Sequence, residues 1–135
     1  MTPVSLIDAK SGNVILELNS LGHPFIDHIS LLWASDSRRL AFISSNRRGD
    51  ITTVYVRAGD TFTEVELPEI TGGPFIKSPP GAKIVGVSET ALRWSKPNVL
   101  VIETYEEDDE GNSIRTRRAY TFDAKNYITV TRIKR

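Results

Sequence analysis

The residues of this chain best suited to chemistry are two histidines, an acidic run and a set of arginines. His23 and His28 do not have the spacing of a metal-binding pair. The sequence has no cysteine, which excludes thiolate nucleophiles, disulfides and zinc–cysteine sites. It also lacks the Gly-x-Ser-x-Gly and Gly-x-Gly-x-x-Gly motifs of hydrolases and dinucleotide-binding proteins. These features predict a non-enzymatic domain with no catalytic residue, no cofactor and no metal.

Two charged turns are the remaining candidates for binding. The acidic run EEDDE (106–110) could offer carboxylate oxygens to calcium, but it lacks the Asp-x-Asx-x-Asx-Gly pattern of an EF-hand loop and is typical of a solvated hairpin turn. The turn RRGD (47–50) presents two arginines that are either solvated or face an acidic partner. If the domain binds another protein, the sequence favours a surface formed by Arg47, Arg48, Asp108, Asp109 and Glu110.

The C-terminal third is rich in arginine, which raises phosphate or nucleic-acid binding as one interpretation. We favour ion pairs. If residues 98–106 and 113–122 form a hairpin, Glu103 and Glu106 come close to Arg115 and Arg117. Lys plus Arg and Asp plus Glu both number 17, so no net charge attracts nucleic acid or an acidic membrane. The expected partner is a protein or a second copy of the chain, with no nucleic acid and no membrane.

The compartment is only loosely bounded by the sequence. No apolar run is long enough to span a membrane, and the first residues lack the charged start and apolar stretch of a signal peptide. The sequence therefore predicts a soluble protein that is cytoplasmic, or periplasmic if a signal peptide has been removed.

The elements that must position these residues are predicted to be β-strands throughout. Short runs rich in Val, Ile, Thr, Tyr and Phe alternate with turn clusters, and no segment has the periodicity of an amphipathic helix. The runs form a pair in residues 3–18, a set of four in 28–67 and a second set of four in 87–134. Residues 68–86 contain prolines and glycines that disfavour a sheet ladder and predict a connecting loop.

The two sets of four strands are related as repeats. Residues 33–42 read WASDSRRLAF, and residues 94–101 read WSKPNVLV, so each tryptophan precedes a tight turn and an apolar strand. The first segment resembles the Trp-Ser-Pro-Asp-Gly-x-x-Leu-Ala-Phe signature of TolB-like and WD-repeat β-propeller blades. It has Ala34 and Ser35 where those blades usually have Ser and Pro, and Ser37 where they usually have Gly. The equivalent positions of Trp33 and Trp94 predict that both pack between sheets.

The resemblance implies blades of four antiparallel strands packed face to face, without implying a particular activity. The chain, as one domain, then divides into a half blade (1–20), a blade-like repeat (25–67), a loop (68–86) and a second blade-like repeat (87–135). We therefore expect an all-β fold of antiparallel four-stranded meanders, as a partial β-propeller or a two-sheet sandwich.

About two and a half blades are fewer than a closed propeller needs, so apolar faces must be covered in some other way. Three arrangements remain open: a homodimer, a compact sandwich whose 68–86 loop covers an open face, or a fragment of a longer propeller. The sequence favours a non-enzymatic protein-interaction domain. A small enzyme or enzyme inhibitor using the 68–86 loop, and a structural fragment of a larger propeller, are the alternatives.

Overall fold

The computed structural model describes residues 4–18, 28–46, 49–69 and 75–133, and over these ranges the regular structure is entirely β. The strands are β1 Val4–Ile7, β2 Val14–Leu18, β3 His28–Trp33, β4 Arg39–Asn46, β5 Gly49–Ala58, β6 Thr61–Val65, β7 Ile84–Lys96, β8 Val99–Asp108, β9 Ser113–Phe122 and β10 Ile128–Ile133. The predicted all-β class is confirmed, and the strand boundaries agree closely with those expected from the turn residues.

The described strands form three antiparallel units in chain order. β1 and β2 make a hairpin, β3 to β6 make a four-stranded meander (sheet 1), and β7 to β10 make a second four-stranded meander (sheet 2). In both four-stranded sheets each strand pairs with the next along the chain. Over the described ranges these sheets do not close into a barrel or a ring of blades.

The loop expected over residues 68–86 is shorter than predicted, because β7 begins at Ile84. The backbone N–H of Lys83 donates to the Asp109 carboxylate at 2.9 Å, and the N–H of Asp109 donates to the carbonyl of Lys83 at 2.9 Å. This reciprocal pair ties the start of β7 to the end of β8. The ladder therefore continues through Gly86, although a register shift separates Ile84 from Gly86.

Sheets 1 and 2 stack through two matching rows of side chains. In sheet 1 one row of cross-strand neighbours crosses all four strands, and in sheet 2 a second row does the same and faces it. The rows are Leu32, Ala41, Val54 and Val65 on one side, and Trp94, Leu100, Tyr120 and Val130 on the other. Because residues two apart on a strand share a face, this register puts every member of a row on the same side of its sheet.

The opposite face of sheet 1 packs against the hairpin. Leu40, Phe42 and Tyr55 are at most 4% exposed and form a second core with Leu6 of β1, Ile29 and Phe62. Sheet 1 is therefore the middle layer of three, with apolar side chains on both of its faces. This explains why residues 40–43 are all buried.

The repeat predicted from the tryptophans is visible in the strand register. Trp33 pairs with Leu40 on β4, as Trp94 pairs with Leu100 on β8. Each leucine in turn lies opposite a tyrosine on the third strand of its sheet. Both Trp–Leu–Tyr rows face the preceding layer, so the two sheets are stacked in the same orientation.

The turn after Trp33 holds a serine in the left-handed region. Ser37 has a φ of 59°, in the left-handed region, at the position where the blade signature usually has Gly. The Asp36 carboxylate accepts the N–H of Arg38 at 3.0 Å, and the N–H of Ser37 donates to the carbonyl of Ala34 at 2.9 Å. These two bonds hold a serine in a conformation that costs it roughly 1–2 kcal/mol.

The two tryptophans differ in burial even though their strand positions match. Trp94 lies 5.8 Å from the ring of Phe122, and its Nε1–H donates to the Leu32 carbonyl at 2.9 Å, so it packs between sheets as predicted. Trp33 contacts Phe62 at 5.8 Å but is 42% exposed. The difference follows from what lies over each ring: Trp94 packs against Leu32 of sheet 1, whereas Trp33 lines a cleft between the described hairpin and sheet 1.

We expect Trp94→Ala to destabilise the domain by about 3 kcal/mol, the low end of the range for tryptophan, because the partly buried ring loses its packing on sheet 1 and its bond to Leu32. Trp33→Ala should cost about 1 kcal/mol, since the side chain is already partly in water. Urea unfolding of the two variants measures both values. Equal losses would contradict the inference that sheet 1 covers its neighbour more completely than the hairpin does.

Candidate protein interface

Asp108, one of the predicted interface residues, lies inside the fold. It is 2% exposed, and Ser78 Oγ donates to its carboxylate at 2.6 Å. The backbone N–H groups of Glu110 and Asn112 and the Asn112 amide also donate to it, each at 2.9 Å. These four bonds occupy both carboxylate oxygens, so Asp108 shapes the β8–β9 turn from within and does not face solvent.

The other members of the predicted surface are only partly described. Asp109 and Glu110 are exposed at the tip of the same turn, where Asp109 also accepts the N–H of Lys83. Arg47 and Arg48 lie outside the described residues. The structure thus brings Asp109 and Glu110 together, and a binding role for this set of residues stays a prediction.

The histidines show no sign of a metal site in the part of the chain that the structure describes. His28 is exposed, and its Nε2 lies 3.2 Å from Ser30 Oγ, whereas His23 is outside the described residues. No group of three or more His, Cys, Asp or Glu side chains positioned to hold a metal is found among the described residues.

The cross-strand ion pairs predicted between β8 and β9 are formed by one of the two glutamates. Glu103 accepts hydrogen bonds from Arg115 at 2.9 Å and Arg117 at 3.0 Å. Burial raises the pKa of Glu103, but the bonds from Arg117 and Arg115 outweigh that effect and hold its pKa below the ordinary value. The expectation was wrong for Glu106, because it is an odd number of residues from Glu103 and therefore points to the opposite face.

Glu106 instead binds the loop that precedes β7. It is 4% exposed, and its carboxylate accepts the backbone N–H of Phe75 at 3.0 and 3.2 Å. The Phe75 ring lies 4.4 Å from the guanidinium of Arg118, which is 5% exposed. Together with the Ser78–Asp108 bond, these contacts fasten the described part of the loop onto the inner face of sheet 2.

The structure reveals one surface that the charged residues did not indicate. Three large apolar side chains on the hairpin-facing side of sheet 1 remain exposed: Leu31 at 40%, Trp33 at 42% and Ile51 at 42%. We call these residues the open face. A cleft of about 780 Å³ runs beside Trp33 between the hairpin and sheet 1, and Leu6, Ile7, Ile15 and Phe62 are among its lining residues.

The far side of sheet 2 has a different character. The side chains that share the face of Glu103 include Arg93, Arg115 and Arg117, and the two glutamate ion pairs lie on it. The far side of sheet 2 is therefore charged around Glu103, the hairpin end exposes a tryptophan and two aliphatic side chains, and the edge strand β7 exposes Ile84, Val85 and Val87. Apolar patches of this kind are characteristic of interaction sites.

No protein-family model matches the chain, and the comparisons find no matching curated protein or solved structure. The described residues include no helix with the length and apolar character needed to cross a membrane.

The buried carboxylate of Asp108 predicts an acid-dependent loss of stability. The bond from Ser78 is the largest cause that lowers its pKa from 3.8 to about 2, with smaller contributions from Asn112 and Glu110, while burial acts in the opposite direction. Because the folded-state pKa lies below the unfolded value, the carboxylate stabilises the fold above pH 3.8, and this stabilisation is lost as the pH falls toward 2.

Asp108→Asn should therefore be less stable than the native chain at pH 7, and the gap should narrow between pH 4 and pH 2. Urea unfolding across this range tests the expectation, with Glu110→Gln, at an exposed position of the same turn, as the matched control. A gap of constant size at all pH values would show that the charge of Asp108 does not stabilise the fold.

Proposed function

We propose that this chain is a non-enzymatic protein-interaction domain, built as a partial propeller-like stack, that binds its partner on the open face. The observation that carries the proposal is the unequal cover of two equivalent rows. Trp94 is partly buried against sheet 1, where it donates to the Leu32 carbonyl, whereas Trp33, at the same place in its own sheet, is 42% exposed. Tryptophan at a protein surface is enriched at binding hot spots, because it offers a large contact area with few rotatable bonds.

The arrangement of the sheets and the Trp33 segment both support the propeller-like description of the stack. The two four-stranded sheets run in chain order, they face the same way, and each presents a Trp–Leu–Tyr row to the layer before it. The Trp33 segment also resembles the blade signature, and Ser37, at the position of the usual Gly, has a φ in the left-handed region. Propellers and other stacked-repeat proteins commonly use their exposed surfaces to bind proteins.

The charges on sheet 2 support placing the partner at the hairpin end. A terminal repeat of a stacked protein carries a polar outer face, and the ion pairs of Glu103 give sheet 2 such a face. A second copy stacked head to tail would have to press this charged face against the apolar open face. Burying charges against apolar groups is unfavourable, so a different protein suits the open face better.

The alternative of an enzyme or inhibitor acting through the 68–86 loop has less support. The described part of that loop is fastened by Glu106 and Asp108, two carboxylates with little solvent exposure. Contacts of this kind indicate a covering role for these residues in the fold.

Substitution of the open face tests the proposal. We expect Leu31→Glu to weaken partner capture from native lysate about tenfold or more, because it places a charge in the centre of an apolar contact. Tyr127→Glu is the matched control, since Tyr127 is 71% exposed in the turn between β9 and β10, away from sheet 1. Quantitative pull-down with both folded variants measures the effect.

Three results would refute the proposed site. The first is equal partner recovery with Leu31→Glu and with the native chain. The second is an equal fall in recovery with Leu31→Glu and Tyr127→Glu. The third is that no protein binds to a folded, monodisperse sample. Asp109→Lys with Glu110→Lys, in a further variant, reports on the acidic turn separately. A loss confined to that variant would move the interface from the open face to the turn tip.

A further inference from the structure

Two arginines lie side by side on sheet 2, and neither forms an ion pair with any of the described residues. Arg118 of β9 and Arg132 of β10 are directly opposite in the strand register, so both side chains leave the same face of the sheet. The ion pairs of Glu103 account for Arg115 and Arg117 only. We propose that Arg118 and Arg132 form a binding site for a doubly charged oxyanion such as phosphate.

Arg118 is the buried half of this pair. It is 5% exposed, and its Nη1 has no hydrogen-bond partner among the described residues. Arginine keeps its charge when buried, and a buried charge without acceptors is unfavourable. The hydroxyl of Thr116, two residues earlier on the same face of β9 and 3% exposed, also lacks a partner within the described part of the chain. Two such groups next to each other indicate a site whose acceptor comes from a ligand.

The acidic groups near Arg118 are engaged elsewhere or disfavoured as anions. The Glu106 carboxylate accepts the backbone N–H of Phe75 at 3.0 and 3.2 Å. Burial raises the pKa of Glu89, and Arg118 opposes that effect only in part. Burial also raises the pKa of Tyr120, so this phenol is neutral at pH 7. Arg118 therefore lacks a paired carboxylate on this face of sheet 2.

The contact with Phe75 does not consume the hydrogen-bond donors of Arg118. The ring centre lies 4.4 Å from the guanidinium carbon, and a cation–π contact of this kind uses the flat face of the group. The N–H donors lie in the plane of the guanidinium instead. Arg132 is exposed on the edge strand β10, directly beside Arg118. It therefore provides the side of the pair that an anion meets first from solvent.

The presence of two guanidinium groups selects the class of anion. Each presents a planar fork of N–H donors that matches two oxygens of a phosphate or a carboxylate. A phosphate group carries about −1.5 to −2 charges at pH 7, which balances two arginines, whereas a carboxylate balances one. Like charges directly opposite each other destabilise a sheet, so an anion held by Arg118 and Arg132 stabilises the fold as it binds. The site is on sheet 2 and is independent of the open face.

Titration of the full chain with inorganic phosphate tests the inference. We expect saturable binding by calorimetry at pH 7 and a rise in the thermal unfolding midpoint, both measured against chloride at equal ionic strength. Arg132→Gln should weaken phosphate binding about tenfold or more, because the exposed half of the site is lost. Lys125→Gln is the matched control, since Lys125 is exposed in the turn between β9 and β10, and it should bind phosphate as the native chain does.

Arg132→Glu provides a test that needs no ligand. It places a carboxylate directly opposite Arg118, so in chloride this variant should unfold at a higher temperature than the native chain and should no longer respond to phosphate. Arg132→Gln should unfold between the two, because it removes the repulsion without supplying an anionic acceptor. Lys125→Glu makes the same reversal of charge away from Arg118 and should shift the midpoint less. Circular dichroism verifies the fold of each variant.

The site is overturned if phosphate does not bind, if chloride has the same effect at equal ionic strength, or if Arg132→Gln binds phosphate as tightly as the native chain. It is also overturned if Arg132→Glu is no more stable than Arg132→Gln, because Arg118 then has no need of an acceptor. Acetate that binds as tightly as phosphate would overturn the doubly charged class and assign the site to carboxylates.

Discussion

The contact between the inner rows of the two four-stranded sheets is the interaction on which the rest of the molecule depends. Leu32, Ala41 and Val54 on one sheet meet Trp94 and Leu100 on the other, and this packing removes a continuous apolar surface from water. Each fully buried aliphatic or aromatic side chain contributes roughly 1.5–3 kcal/mol. A four-stranded meander has two faces, and both faces of sheet 1 carry apolar side chains. Stacking covers one of them with sheet 2 and the other with the hairpin.

Polar contacts complete this stack where apolar packing ends. Arg39 reaches from sheet 1 to the Asn126 side chain at 3.1 Å, and its guanidinium lies 5.3 Å from the centre of the Phe122 ring. At the other end, Asp50 accepts the hydroxyl of Thr90 at 2.6 Å. These bonds join the sheets at their margins. They also satisfy groups that would lose water as the sheets approach each other.

Gly49 shows how close that approach is. A Cβ at this position would lie 3.0 Å from both the Cβ of Ser88 and the carbonyl oxygen of Val87, and its φ of 131° is one that other residues rarely adopt. The start of β5 can thus come against the edge of β7 because residue 49 has no side chain. This local requirement explains why the turn between β4 and β5 contains a glycine at its end.

The same stacking that stabilises the domain leaves its two ends unlike. At one end, arginines and Glu103 form a charged surface that is compatible with water. At the other, the hairpin is narrower than the sheet beneath it, and a tryptophan and two aliphatic side chains remain exposed. The repeated sequence places a Trp–Leu–Tyr row on both sheets, and over the described residues the layer on the first row has two strands.

The sequence by itself determined the strand content, the turn positions and the correspondence of Trp33 with Trp94, since these depend on local alternation and turn chemistry. It also indicated the Glu103 ion pairs, because a hairpin register follows from a short turn. Tertiary structure decided that Asp108 is buried, that Glu106 holds the loop through Phe75, and that Leu31 and Trp33 are exposed. Burial depends on which layer comes to lie over a given face, and that is a property of contacts between residues far apart in the chain.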